Sequence, residues 1–231
     1  MIRKYTTDME QQPSIQDDTR KDKPILWEYE QKMLAVLVPK LPFWITSYRL
    51  TWANPLLAVL VLAAGYLAKN DVRWLWATSG LLILHYFADS LDGAVARYRN
   101  CRRIQWGYYM DHLLDYVFMA CIVFGYSFII PQRLHVYLFG ILALIGTMMI
   151  HAYLYTHATG KMPMSLFKFG PTEERILAII LNTIIIFSGT AFLSNVLPVA
   201  FFVILIGVAL AFFQTQAALY KSDLENQQNQ K

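Results

Sequence analysis

The stretch "VLPVAFFVILIGVALAFFQTQAAL", residues 196–219, is an apolar run long enough to cross the hydrocarbon core of a bilayer. A helix needs about 20 residues to do so. Five segments of similar character precede it, at about 54–68, 74–97, 106–130, 136–157 and 173–188. Soluble domains place roughly a quarter of their residues in Asp, Glu, Lys and Arg. Here 16% carry charge, 56% are hydrophobic, and the mean hydropathy is +0.36. The sequence therefore predicts an all-α integral membrane protein with six transmembrane helices, the first of them short.

The segment "ILWEYEQKMLAVLVPKLPFWI", residues 25–45, precedes the first span. Leu26, Tyr29, Met33 and Leu37 follow helical spacing, and Glu28, Glu30, Gln31 and Lys32 fall largely on other faces. Pro39 and Pro42 rule out a continuous spanning helix. The pattern predicts an N-terminal amphipathic helix in the membrane interface, with Trp27 and Trp44 at headgroup level. An ordinary amphipathic helix packed on the protein is the alternative. Residues 1–24 are polar, without the apolar core of a signal peptide, and are expected to be a disordered cytoplasmic tail. Residues 25–220 form the membrane domain, and 221–231 a second disordered cytoplasmic tail. Cys101 and Cys121 have no metal-ligand spacing and predict no disulfide.

Six spans put both termini on one side, and the cations choose which. Seventeen lysines and arginines fall in the N-terminal segment, the loop near 97–106, the stretch 159–175 and the C-terminal tail. The opposite side has only Lys69, Arg73 and Arg133. This bias places both termini and the arginine-rich loop in the cytoplasm.

Four aspartates interrupt the second and third spans. Asp89 and Asp92 are three apart, and Asp111 and Asp115 four apart, so each pair shares a helix face. The short connecting loop makes the two spans antiparallel neighbours. At ~1.5 Å per residue, all four carboxylates lie within about 5–15 Å of the cytoplasmic helix ends. Each charge costs about 2.5–3.5 kcal/mol at a helix centre, before mutual repulsion. A hard divalent cation, Mg²⁺ or Mn²⁺, relieves that cost and accepts phosphate oxygen as a further ligand. Arg97 adds a phosphate partner, and Gly93, Ala96 and Gly107 keep the helix surfaces thin enough for a flat ligand. These features describe a site for a metal-bound nucleotide diphosphate. An ion- or proton-coupled transporter is the rival from another class, although transporter sites usually lie near the midplane, between repeats.

"DSLDGAVAR", nine residues, then "GYYMDHLLD" resembles the signature of the CDP-alcohol phosphotransferase superfamily, whose usual spacer is one residue shorter. The resemblance implies transfer of a phosphate-linked group from a CDP-alcohol to an alcohol or lipid acceptor, with release of CMP, in phospholipid biosynthesis. It implies that Asp89, Asp92 and Asp111 hold the metal, and that Asp115 is general base or a further metal ligand. Asp92, Gly93, Ala96, Arg97 and Gly107 would line the CDP site. The partners are membrane lipids and no nucleic acid, and similar proteins are commonly homodimers. The expected location is the inner (plasma) membrane of a bacterium, with the active site cytoplasmic. "DH" at Asp111–His112 and "FGPTEERI" at residues 169–176 resemble the choline and ethanolamine phosphotransferase branch, where His112 would assist proton removal. Either CDP-diacylglycerol or a CDP-linked head group fits as donor.

Thr172 is the expected N-cap of the fifth span, with Glu173 and Glu174 in its first turn. Arg175 lies inside that span, where an unpaired cation is costly, so it is expected to face an aspartate or a substrate phosphate at the acceptor side. His85, His151 and His157 are assigned to packing or the interface.

Overall fold

The computed structural model describes residues 26–160 and 171–229. The expected tail at 1–24 lies outside these residues. Seven α-helices and no strand occur among them. They are α1 (Trp27–Leu37), α2 (Ser47–Ala68), α3 (Leu75–Tyr98), α4 (Ile104–Ser127), α5 (His135–Thr159), α6 (Pro171–Ser188) and α7 (Leu193–Asn229). Three helical segments, Ser47–Ala68, Gln132–Thr159 and Leu193–Glu225, are long and apolar enough to cross a membrane. Helices α3 and α4 have 24 residues each, about 36 Å of helix, but carry the aspartates.

The first span begins earlier than its sequence suggests. Pro55 has no N–H to give to the carbonyl one turn back, so it reads as a helix start. Instead α2 continues through Pro55 to Ser47, and the Thr46 hydroxyl accepts the Arg49 N–H at 3.3 Å as an N-cap. At 22 residues α2 is long enough to cross a membrane by itself, and about two extra turns bring Thr51 onto it.

Helix α2 is the centre of the bundle and packs against both α3 and α4. Leu57, Ala58 and Val61 meet Leu75, Leu82, Phe118 and Ile122 in one buried cluster. The α2–α4 crossing is tight because Gly65 and Gly125 face one another. A methyl group on Gly65 would lie 2.4 Å from the Gly125 Cα, so any other residue there pushes the helices apart. Helix α6 packs on α3, and α5 lies between α4 and α7. Lipid is as apolar as leucine, so packing and polar contacts must hold such helices together. The Tyr126 hydroxyl donates to Asn182 Oδ1 at 2.6 Å, and Asn182 Nδ2 donates to Ser79 Oγ at 3.0 Å, joining α4, α6 and α3. Asn182 is fully buried. Bonds of this kind contribute ~0.6 kcal/mol each in membrane bundles.

Helix α1 packs on the protein. Leu34 and Val38 are buried against Leu91, Ala94 and Val95 of α3. The Ser90 hydroxyl donates to Glu30 Oε1 at 2.8 Å, and the Leu26 N–H donates to Glu173 Oε1 at 3.1 Å. The second bond caps an otherwise open helix N-terminus with a carboxylate from α6. These contacts hold α1 on the bundle, with Tyr29 and Val36 left exposed on its outer face.

The α3–α4 turn has a defined geometry. Asn100 adopts φ 53°, in the left-handed region that asparagine tolerates better than most residues. The Cys101 N–H then bonds the Ala96 carbonyl at 3.0 Å and the Asn100 N–H bonds that of Arg97 at 3.3 Å, closing α3 with a Schellman motif. Arg99 reaches back to the linker before α2, donating to the carbonyls of Ile45 at 2.7 Å and Leu41 at 3.1 Å. At the other end, α7 runs on to Asn229 through the segment expected to be a tail. Lys221 and Glu225, one turn apart at 3.8 Å, support that extension.

Candidate active site

Asp89 lies nine residues from the end of α3, Asp111 seven and Asp115 eleven from the start of α4. These positions correspond to depths of about 10–17 Å in the two antiparallel helices, so the carboxylates meet at one level. One oxygen from each of Asp89, Asp111 and Asp115 lies within 4.8 Å of the others. Like charges at this separation repel, and the structure supplies a cation. Arg175, near the start of α6, places Nη2 2.8 Å from Asp89 Oδ2 and 3.9 Å from Asp115 Oδ1. Both partners of the shorter pair are largely buried, so Arg175 faces the interior of the bundle.

Asp92 is held apart from this triad. It sits one turn nearer the end of α3, and the Thr51 hydroxyl donates to its Oδ2 at 2.6 Å. Thr51 is buried, so this bond fixes the carboxylate from the α2 side. Gly93 serves Arg97: a Cβ there would lie 3.3 Å from Arg97 Nη1. The guanidinium folds back over the glycine, while the side chain remains exposed. Nothing lies within 4 Å of a Cβ placed on Gly107, which leaves open space on the facing helix. Ala96 is buried beside Val95 and contributes a thin helix wall.

His112 turns its ring along α4. Its Nδ1 lies 2.9 Å from the Tyr108 carbonyl, which only accepts, so Nδ1 carries the proton and Nε2 keeps a lone pair. Tyr108 and, from α5, Tyr153 flank the ring, with centroids 4.2 and 5.0 Å away. His85, assigned to packing from its sequence, belongs to the site: its Nδ1 is 3.1 Å from Arg175 Nη2. Its spacing of four residues before Asp89 puts it on the carboxylate face of α3, but its partner Arg175 lies on another helix. His151 behaves as expected and meets Thr215 at 3.3 Å between α5 and α7. Thr172 is not an N-cap. Helix α6 already begins at Pro171, and the Thr172 hydroxyl lies 3.5 Å from Glu30 Oε2. Of the segment 169–176, Phe169 and Gly170 lie outside the described residues.

The donor set is all oxygen and comes from two helices, which fits a hard divalent cation such as Mg²⁺ or Mn²⁺ better than a soft metal. This chemistry agrees with the family to which the chain belongs. Residues 40–213 match the CDP-alcohol phosphatidyltransferase family, most of the chain and every helix from α2 to α6. The family's members carry out phosphotransfer in phospholipid synthesis and act within membranes. Comparison with curated proteins gives no match.

Proposed function

We propose that the protein is a divalent-metal-dependent transferase that moves a phosphate-linked group from a CDP-alcohol to an acceptor hydroxyl and releases CMP. The observation that carries this reading is the convergence of Asp89, Asp111 and Asp115 within 4.8 Å, beside a signature in the same order as the family's. These three residues would hold the metal, with Asp92 as the neighbouring ligand fixed by Thr51. A divalent ion held there would supply positive charge to offset that on the diphosphate and on the departing CMP. Arg97 would donate hydrogen bonds to the phosphate, its planar guanidinium exposed above Gly93. The space over Gly107 suits the cytidine ring. Asp115 stands among the ligands, so the acceptor's proton falls to His112, whose Nε2 lone pair is free to take it.

The test is the reaction itself. Purified protein is supplied with Mg²⁺ or Mn²⁺ and a panel of CDP-linked head groups and CDP-diacylglycerol, each with matching acceptors, and CMP is measured. One pairing should release CMP, and EDTA should stop it reversibly. The productive pairing also fixes the direction of transfer. No CMP from any pairing sinks the proposal.

We further infer that α2 to α7 are the six spans and that the site opens to the cytoplasm. Helices α3 and α4 have the required length, and their charges are gathered in a cytoplasm-facing half by the cation bias. The exposed Phe43 and Trp44, 90% and 65% accessible after α1, support α1 lying at the membrane interface while packed on α3. Cys101 in the α3–α4 turn is exposed, whereas Cys121 is half-buried within α4. An impermeant maleimide should therefore label Cys101 in inverted vesicles and not in intact cells. Labelling from outside would reverse the orientation.

A further inference from the structure

His85 is 1% exposed, with its ring stacked on Phe118 at a centroid distance of 3.5 Å and an angle of 16°. Its Nδ1 meets Arg175 Nη2 at 3.1 Å, while its Nε2 has no hydrogen-bond partner among the described residues. A guanidinium only donates, so Nδ1 is the acceptor and the proton of the neutral ring sits on Nε2. An imidazolium here would lose that acceptor and set two positive charges in contact. Among the described residues this buried N–H has no acceptor, an unfavourable arrangement that a phenylalanine of similar shape would avoid. What the histidine gains in return is the bond to Arg175.

We propose that His85 is a positioning residue that holds Arg175 as the fixed cation of the carboxylate triad. Both hydrogen-bond partners of Nη2 come from α3: His85 and Asp89 are four residues apart, one turn, on the same face. Arg175 is thereby located against one rigid element, and its contact with Asp115 on α4 follows from that placement. Without Nδ1, a long flexible side chain would keep only its bond to Asp89. It would be free to tilt towards the Tyr86 ring, which lies 5.9 Å away. The stacked Phe118 prevents the imidazole from turning and fixes which edge faces Arg175.

The inference rests on the transferase reading only for its activity readout. The experiment uses the full chain and compares His85→Phe, which keeps the flat apolar ring, with His85→Asn, whose Oδ1 falls near the place of Nδ1. Each is made alone and together with Arg175→Met. Melting temperature in EDTA, Mn²⁺ affinity and CMP release are measured. His85→Phe should lower Mn²⁺ affinity or turnover by about 10–100-fold, the range for residues that orient a metal's ligands. His85→Asn should recover most of that loss. In the Arg175→Met background, His85→Phe should cost less than about twofold, because the residue it serves is gone. Equal losses in both backgrounds, or no recovery in His85→Asn, would mean that His85 only packs, and would overturn the proposal. If the parent protein releases no CMP, the transferase reading fails by itself. The cycle in melting temperature and Mn²⁺ affinity still decides the role of His85.

Discussion

Asp111→Asn should abolish divalent-ion-dependent CMP release and leave the protein folded. The two halves of this expectation have separate causes. Asp111 contributes one of three oxygens within 4.8 Å, so the amide removes a charged ligand from the centre of the cluster. A loss of at least about 10³-fold in kcat/KM is expected, equivalent to roughly 4 kcal/mol of transition-state stabilisation. Stability should not fall with it. Arg175 pairs with Asp89 and Asp115, so neutralising Asp111 relieves repulsion and strands no cation. Its melting temperature in EDTA should equal or exceed that of the parent. Asp89→Asn provides the contrast, since it removes the 2.8 Å partner of a largely buried guanidinium. Breaking a fully buried pair costs about 3–5 kcal/mol, and the partial exposure here reduces that to about 1–3 kcal/mol. Asp89→Asn should therefore lose both stability and turnover. Undiminished turnover in Asp111→Asn would remove the triad from the chemistry.

The contrast shows how unevenly the site can be read from its sequence. The aspartates are legible because helix periodicity alone sets which face they share, and a short loop makes α3 and α4 antiparallel. The separation of Asp92 from the other three is not legible. It depends on Thr51, and Thr51 joins the site only because α2 continues through Pro55. Proline looks like a boundary from its local chemistry, and tertiary packing overrides that preference. His85 was within reach, four residues before Asp89, but its partner lies 90 positions away on α6. No pattern within one helix identifies such a contact. The same limit applies to α1. Its apolar stripe fits a membrane surface and a protein surface equally, and long-range bonds from Glu30 to Ser90 and from Leu26 to Glu173 fix it on the bundle. The aromatic residues it leaves exposed still suit the interface. Apolar pattern marks the helices long enough to span a membrane. Side chains that meet between distant helices specify the site.

Gly93→Leu should block CDP-alcohol binding while sparing the metal. The reason is local. A Cβ on Gly93 would already lie 3.3 Å from Arg97 Nη1, so even alanine makes the guanidinium shift by a few tenths of an ångström. Arg97 is exposed at its far end and can yield, so Gly93→Ala should weaken CDP-alcohol binding only severalfold. Leucine adds three more carbons in the space where the guanidinium folds back, and displaces it altogether. Charge-assisted bonds to phosphate contribute about 1.5–3 kcal/mol each, so losing their geometry and filling the pocket should weaken binding by at least about 100-fold. The carboxylates are untouched: Asp92 keeps its bond from Thr51, and the triad lies on other positions of α3 and α4. Mn²⁺ affinity measured without nucleotide should stay within about threefold of the parent value, well under 1.4 kcal/mol. Arg97→Lys separates the two causes. It keeps a cation and leaves the pocket open, yet lacks the planar fork, so it should fall between the alanine and leucine variants. If Gly93→Leu binds CDP-alcohol as tightly as the parent, the nucleotide does not lie over this turn of α3. The donor site would then have to be sought on the other side of the carboxylates.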